Sequence, residues 1–135
     1  MKILFDNNIL IDLLANRSPF VMDAEKLISA IGEGKIDGYM TANTITNVYY
    51  VLRKYMSDTE ARNGLSRVME VFQILSITGH DCKEALQASN PDLEDGLIEV
   101  CALKSGMNYI VTRDMEFIER CSIAINPANL LKLLK

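Results

Sequence analysis

One histidine, His80, and three cysteines, Cys82, Cys101 and Cys121, are all the chain has of the residues that most often bind zinc or act as a neutral base. His80 stands between Gly79 and Asp81 in an expected surface loop, so imidazole base chemistry and a zinc site of several His and Cys ligands find no support. The cysteines form no C-x-x-C pair and their number is odd, which argues against a disulfide framework and leaves buried thiols as the expectation. No apolar run approaches membrane-spanning length, and only Ile3-Leu4-Phe5 separates Lys2 from Asp6, far short of the apolar region of a signal peptide. The expected location is therefore cytoplasmic, with no membrane partner. Phosphate loops of the G-x-x-x-x-G-K-[ST] form, G-x-G-x-x-G and G-x-S-x-G are missing too. Positive charge is in deficit, 14 Lys and Arg against 18 Asp and Glu for a net charge of −4, which speaks against a general nucleic-acid coat. A carboxylate cluster that holds a cation changes its local sign, so the balance does not exclude a nucleic-acid substrate.

No Pro-, Gly- or Ser-rich stretch divides the 135 residues, and an apolar fraction of 49% suffices for one full core, so residues 1–135 read as a single domain. Strands are expected at 2–5, 37–41, 74–77, 109–112 and 122–125. Helices are expected over 8–16, around 24–31, from a cap at Asn43 or Thr44 through Tyr55, over 58–70, over 81–89, from Asn90-Pro91 to Gly106, over 115–120 and from Asn126-Pro127 onward. Alternating strands and helices indicate a parallel sheet covered on both faces, a three-layer α/β/α domain with four to five strands.

Two apolar strands end on acids: Ile3-Leu4-Phe5-Asp6 and Tyr109-Ile110-Val111-Thr112-Arg113-Asp114. In a parallel sheet the ligand crevice lies at the carboxyl ends of the strands, so Asp6 and Asp114 should meet there. Asn7 or Asn8 explains a cap on the first helix, but an acid ending a buried strand needs a partner of its own. Between them, Asp92-Leu93-Glu94-Asp95 opens a helix. Acids in a first turn stabilise it through the macrodipole, which accounts for Asp92 and Glu94. Asp95 lies at i+3 from Asp92 and i−4 from Glu99, a stack of like charges that calls for a cation. Gathered carboxylates and a hard divalent cation answer each other.

The segments Phe5-Asp6-Asn7-Asn8-Ile9-Leu10, Asp92-Leu93-Glu94-Asp95-Gly96-Leu97 and Ile110-Val111-Thr112-Arg113-Asp114, in this order and spacing, resemble the PIN domain. The resemblance implies an α/β nuclease whose acidic pocket binds Mg²⁺ or Mn²⁺ and cleaves single-stranded RNA. It further implies a toxin of a toxin–antitoxin pair, with an antitoxin protein as partner and a homodimer as assembly. Asp6, Asp95 and Asp114 match three of the family's acids, with Asn8 and Thr112 as supporting polar groups. The remaining family acid is a Glu on the third helix, where this chain has Asn47, and Asp92 is a candidate to supply the missing carboxylate. Arg113, beside the expected pocket, and Arg53 and Lys54, at the far end of the Asn47 helix, are candidate phosphate contacts. Two rivals remain open: a PIN-fold module with weakened chemistry that binds RNA or protein, motivated by Asn47, and phosphotransfer through an aspartyl-phosphate on Asp6. The latter is disfavoured because Asn8 stands where such enzymes carry a second Asp.

Overall fold

In the computed structural model, which describes residues 1–135, thirteen elements alternate along the chain. They are β1 (Lys2–Phe5), α1 (Asn7–Leu14), α2 (Val21–Gly32), β2 (Asp37–Thr41), α3 (Thr44–Leu52), α4 (Asp58–Val71), β3 (Gln73–Leu75), α5 (Gly79–Gln87), α6 (Leu93–Lys104), β4 (Tyr109–Val111), α7 (Met115–Arg120), β5 (Ala124–Ile125) and α8 (Pro127–Leu133). The strands form one all-parallel sheet in the order β3-β2-β1-β4-β5. β1 is central, and its register pairs Phe5 with Val111. The next residues, Asp6 and Thr112, therefore leave the sheet side by side.

Successive strand residues face opposite sides, and the core divides accordingly. Ile3, Phe5, Met40 and Val111 pack with Leu10, Leu27, Val48, Leu52, Leu65 and Leu130 from α1, α2, α3, α4 and α8. Leu4, Tyr39 and Ile110 pack on the other face with Ile98, Ala102 and Phe117 from α6 and α7. This is the expected three-layer arrangement. β2 is drawn close to α2 and the end of α4, where a Cβ at Gly38 would stand 2.6 Å from Ile31 Cδ1 and 3.0 Å from the Phe72 ring, so only glycine fits without a shift. No helix is long and apolar enough to cross a membrane.

Several local expectations are corrected. The helix expected from Asn90-Pro91 begins at Leu93, because Asn90 Oδ1 accepts from the Asp92 amide in a turn while Asp92 Oδ1 accepts from the Asp95 amide as the cap. Asp6, not Asn7 or Asn8, caps α1. Asn43 precedes α3 without a side-chain cap bond, its oxygen instead accepting from the Thr41 hydroxyl at 2.6 Å. Of the three free thiols, Cys101 and Cys121 are buried but Cys82 is exposed. His80 is exposed, as expected of a surface residue, and faces Glu84 one turn along α5.

Candidate acidic active site

Of the helices that start at the carboxyl edge of the sheet, α1, α6 and α7 each start on an aspartate. Asp6 Oδ1 accepts from the Asn7 amide at 2.8 Å, Asp92 Oδ1 from the Asp95 amide at 3.1 Å, and Asp114 Oδ1 from the Glu116 and Phe117 amides at 3.0 and 3.4 Å. One oxygen of each carboxylate is thus taken up by a helix amino terminus, whose partial positive charge favours the acid. Asp95 lies one turn into α6 and is delivered by that same start.

The four aspartates line one open cleft of about 480 Å³ together with Asn7, Asn8, Asn47, Tyr50 and Glu94. Asp6 is buried, and its Oδ2 accepts from the Thr112 hydroxyl at 2.7 Å and from Asn8 Nδ2 at 3.4 Å. Asn8 Nδ2 also reaches Thr112 Oγ1 at 3.2 Å, its Oδ1 accepts from the Arg113 amide, and Thr112 Oγ1 accepts from the Asp114 amide at 3.0 Å. Thr112 and Asn8 therefore tie the ends of β1 and β4 into one polar floor. Asp95 differs: its side chain is 8% exposed, yet Oδ2 is fully buried and has no hydrogen-bond partner, the nearest cation being Arg120 Nη2 at 3.7 Å. A buried polar atom without a hydrogen bond is costly, and this one belongs to a residue that lines an acidic cleft.

The electrostatics follow from crowding. Burial, then the charges of Asp92, Asp6 and Asp114, push Asp95 up from 3.8 to about 7, against a smaller lowering by Arg120. Burial likewise raises Asp6, opposed by the Thr112 hydroxyl and the Asn7 amide and reinforced by Asp114 and Asp92. Glu94 is raised by burial and by Asp6 and Asp92. No three acidic side chains converge closely enough to form a ready-made coordination shell, so the expectation that they lie within bridging reach is not met as the side chains stand. The donor set nevertheless fits a hard cation: carboxylate and amide oxygens only, one of them buried and unpaired.

Asp6, Asn8, Asn47, Asp92, Asp95 and Asp114 are brought together, and Thr112 supports them from below. The basic candidates are not. Arg113 is turned away: its guanidinium gives two hydrogen bonds to buried Asp12 and stacks on Phe20 with 3.7 Å to the ring centroid. Arg53 and Lys54 lie outside the cleft, Arg53 donating to the Tyr49 hydroxyl at 3.2 Å, and no basic side chain lines it. Glu99 does not stack with Asp92 and Asp95 but lies in a separate depression with Arg120. Two residues that composition and spacing did not single out matter here. Glu94 accepts from Asn7 Nδ2 at 2.6 Å and from Asn47 Nδ2 at 3.4 Å. Asp12 receives Arg17 and Arg113, and its signal was available, an acid inside the apolar run Ile9-Leu10-Ile11-Asp12-Leu13-Leu14.

Known proteins share this sequence pattern and this fold. Ribonuclease VapC1 of Aquifex aeolicus is 26% identical over 121 residues, covering 86% of this chain and 83% of that one. Among solved structures, Mycobacterium tuberculosis VapC20, a toxin that cleaves the sarcin–ricin loop, superposes with a TM-score of 0.71 at 13% identity over 87% of this chain and 94% of its own. A toxin–antitoxin complex from Klebsiella pneumoniae gives 0.69 at 22% identity over 92% and 96%. The sequence profile of the PIN domain matches residues 2–116, which include Asp6, Asp92, Asp95 and Asp114, and the chain belongs to the PIN domain family.

Proposed function

We propose that this protein is a divalent-metal-dependent endoribonuclease of single-stranded RNA that acts in the cytoplasm as the toxin of a toxin–antitoxin pair. The observation that carries the reading is the buried, unpaired Asp95 oxygen in a cleft with three further aspartates. The ribonuclease activity and antitoxin partnership named for the relatives support it. Asp6, Asp95 and Asp114, with Asp92 at the rim, would hold Mg²⁺ or Mn²⁺, which when bound supplies Lewis acidity toward a phosphodiester and offsets the acids' mutual repulsion.

The chain's own residues do the rest. Thr112 and Asn8 fix the rotamer of Asp6, so that its position in the cleft does not depend on a bound ion. The helix caps at Asp92 and Asp114 hold one oxygen of each acid and leave the other for the cleft, whereas Asp6 has both oxygens engaged, Oδ1 by the Asn7 amide and Oδ2 by Thr112 and Asn8. Tyr50, 70% exposed at the wall, offers a ring face to an unpaired base. Because the cleft is acidic and bare of basic side chains, RNA approach requires cation neutralisation, and a base-paired helix presents no splayed base to stack.

The test uses a circular single-stranded RNA, which only an endonuclease opens, with purified protein in Mn²⁺, in Mg²⁺ or in chelator. Cleavage should require the ion and disappear in Asp6→Asn. Cleavage that survives both chelator and Asp6→Asn overturns the proposal. RNA binding without cleavage under any condition favours the weakened binding module instead. A homodimer belongs to the same proposal and is read by the mass of the purified protein in solution.

A further inference from the structure

The cleft holds a fifth carboxylate, and its supports come from two other helices. Glu94 extends from the first turn of α6 across the cleft, where a single oxygen, Oε1, accepts from Asn7 Nδ2 on α1 at 2.6 Å and from Asn47 Nδ2 on α3 at 3.4 Å. Asn7 is itself oriented from behind: its Oδ1 accepts from the buried Thr44 hydroxyl at 2.8 Å, which lies 3.2 Å from the Thr41 hydroxyl at the end of β2. Amide nitrogens that both aim at one carboxylate oxygen are positioning donors, and they leave Oε2 without a protein partner. An acid with no role in the site would turn outward, since α6 starts at the surface and Glu94 is exposed on one side. Instead it lines the same cleft as Asp6, Asp92, Asp95 and Asp114, where Asp95 Oδ2 is buried without a hydrogen-bond partner.

The geometry points to Glu94 as a cation-ligating carboxylate of this site, positioned by Asn7 and Asn47, so that the amide at Asn47 serves the acid opposite it rather than marking a lost one. This rests on the metal-dependent reading above and goes beyond it by assigning the residue. It also means that an acid placed at Asn47 would meet Glu94 head-on, whereas exchanging the two groups would keep one carboxylate and one amide at the contact.

The experiment is calorimetric titration of the purified full chain with Mn²⁺ alone, without RNA, on the natural protein, Glu94→Gln, Asn47→Glu and the double variant Asn47→Glu with Glu94→Gln. Glu94→Gln should weaken Mn²⁺ binding about tenfold or more, within the range for removal of a ligand or its support, while leaving the metal-free melting temperature equal or higher. The double variant should regain most of that affinity. Natural protein that binds Mn²⁺ together with a Glu94→Gln variant within twofold of it overturns the assignment of Glu94 and leaves the metal-dependent reading intact. A Glu94→Gln loss that the double variant does not relieve overturns the role given to Asn47. A natural protein that binds no Mn²⁺ overturns both this inference and the reading beneath it.

Discussion

Asp12 and Asp95 are the same residue type and both buried, one in the last turn of α1 and the other in the first turn of α6, and they are treated in opposite ways. Asp12 is 1% exposed and accepts from Arg17 Nε at 2.9 Å, Arg17 Nη2 at 2.8 Å and Arg113 Nη2 at 2.9 Å, with Arg113 Nε completing the pair. Asp95 has a buried oxygen that accepts no hydrogen bond and has only the Arg120 guanidinium at 3.7 Å. Asp81 repeats the first pattern: Lys104 Nζ at 2.5 Å, then the Thr78 amide, hold its carboxyl below the usual range. The contrast separates acids that hold the fold together from acids that the empty fold tolerates at a cost. The first kind should be missed when removed; the second should be missed only when a cation is present.

The largest effect tests the paired side. Asp12→Ala should destabilise the protein by about 3 kcal/mol in urea unfolding, because two arginines lose their shared partner. That value sits at the low end for a buried pair since both guanidinium groups keep some contact with water. A loss near zero would erase the comparison from one end. Asp95→Asn tests the other end, with the opposite sign. A carboxyl raised from 3.8 to about 7 is neutral in both states at low pH; as pH rises between those values the unfolded chain ionises freely while the folded one resists. The metal-free fold therefore loses stability across that window and stays weaker above it. The full shift corresponds to about 4 kcal/mol at 1.36 kcal/mol per unit. Solvent access to the cleft and relaxation of its neighbours reduce this, so Asp95→Asn should gain about 2 kcal/mol at pH 8 and almost nothing at pH 4 in melting measurements without metal. It should also lose the upward shift that Mn²⁺ gives the natural protein by mass action. A lowered melting temperature at pH 8 would make Asp95 a structural acid like Asp12.

Thr112→Val should cost about 1 kcal/mol, the ordinary net value of a hydrogen bond, and move Asp6 further upward, because the hydroxyl that holds its Oδ2 is gone. Urea unfolding as a function of pH separates the two consequences. The smallest effect belongs to His80→Ala. Its contact with Glu84 is exposed on both sides and should contribute less than about 0.5 kcal/mol, so its unfolding curve should overlay that of the natural protein and set the scale for the rest.

The parts legible in the sequence are those determined locally. Apolar strands ending at Asp6 and Asp114 and the Asn126-Pro127 start of α8 needed only periodicity and cap chemistry. The misread positions are those where two local solutions compete or where a side chain answers to a distant partner. Asn90-Pro91 is a good helix start, but Asp92 is another two residues on, and only the turn that Asn90 makes selects between them. Glu94 satisfies a first-turn role by itself; its reach to Asn7 and Asn47 spans 87 and 47 positions of sequence. Arg113 stands between Thr112 and Asp114 in the chain, yet in the bend after β4 its side chain turns away from the cleft to Asp12. Fold and acid positions were thus open to reading, while the orientation of long side chains was not.

The bond between the Thr112 hydroxyl and Asp6 joins residues 106 positions apart. At roughly 5–20 residues per second of synthesis, the first acid of the cleft exists for about 5 to 20 s before the residues that complete it have been made. β1, the centre of the sheet, has at most β2 as a sheet neighbour during that interval, since β4 is still unwritten. A chain interrupted anywhere before β4 therefore carries no assembled cleft. Whatever the cleft does, it cannot begin before β4 and Asp114 have been made.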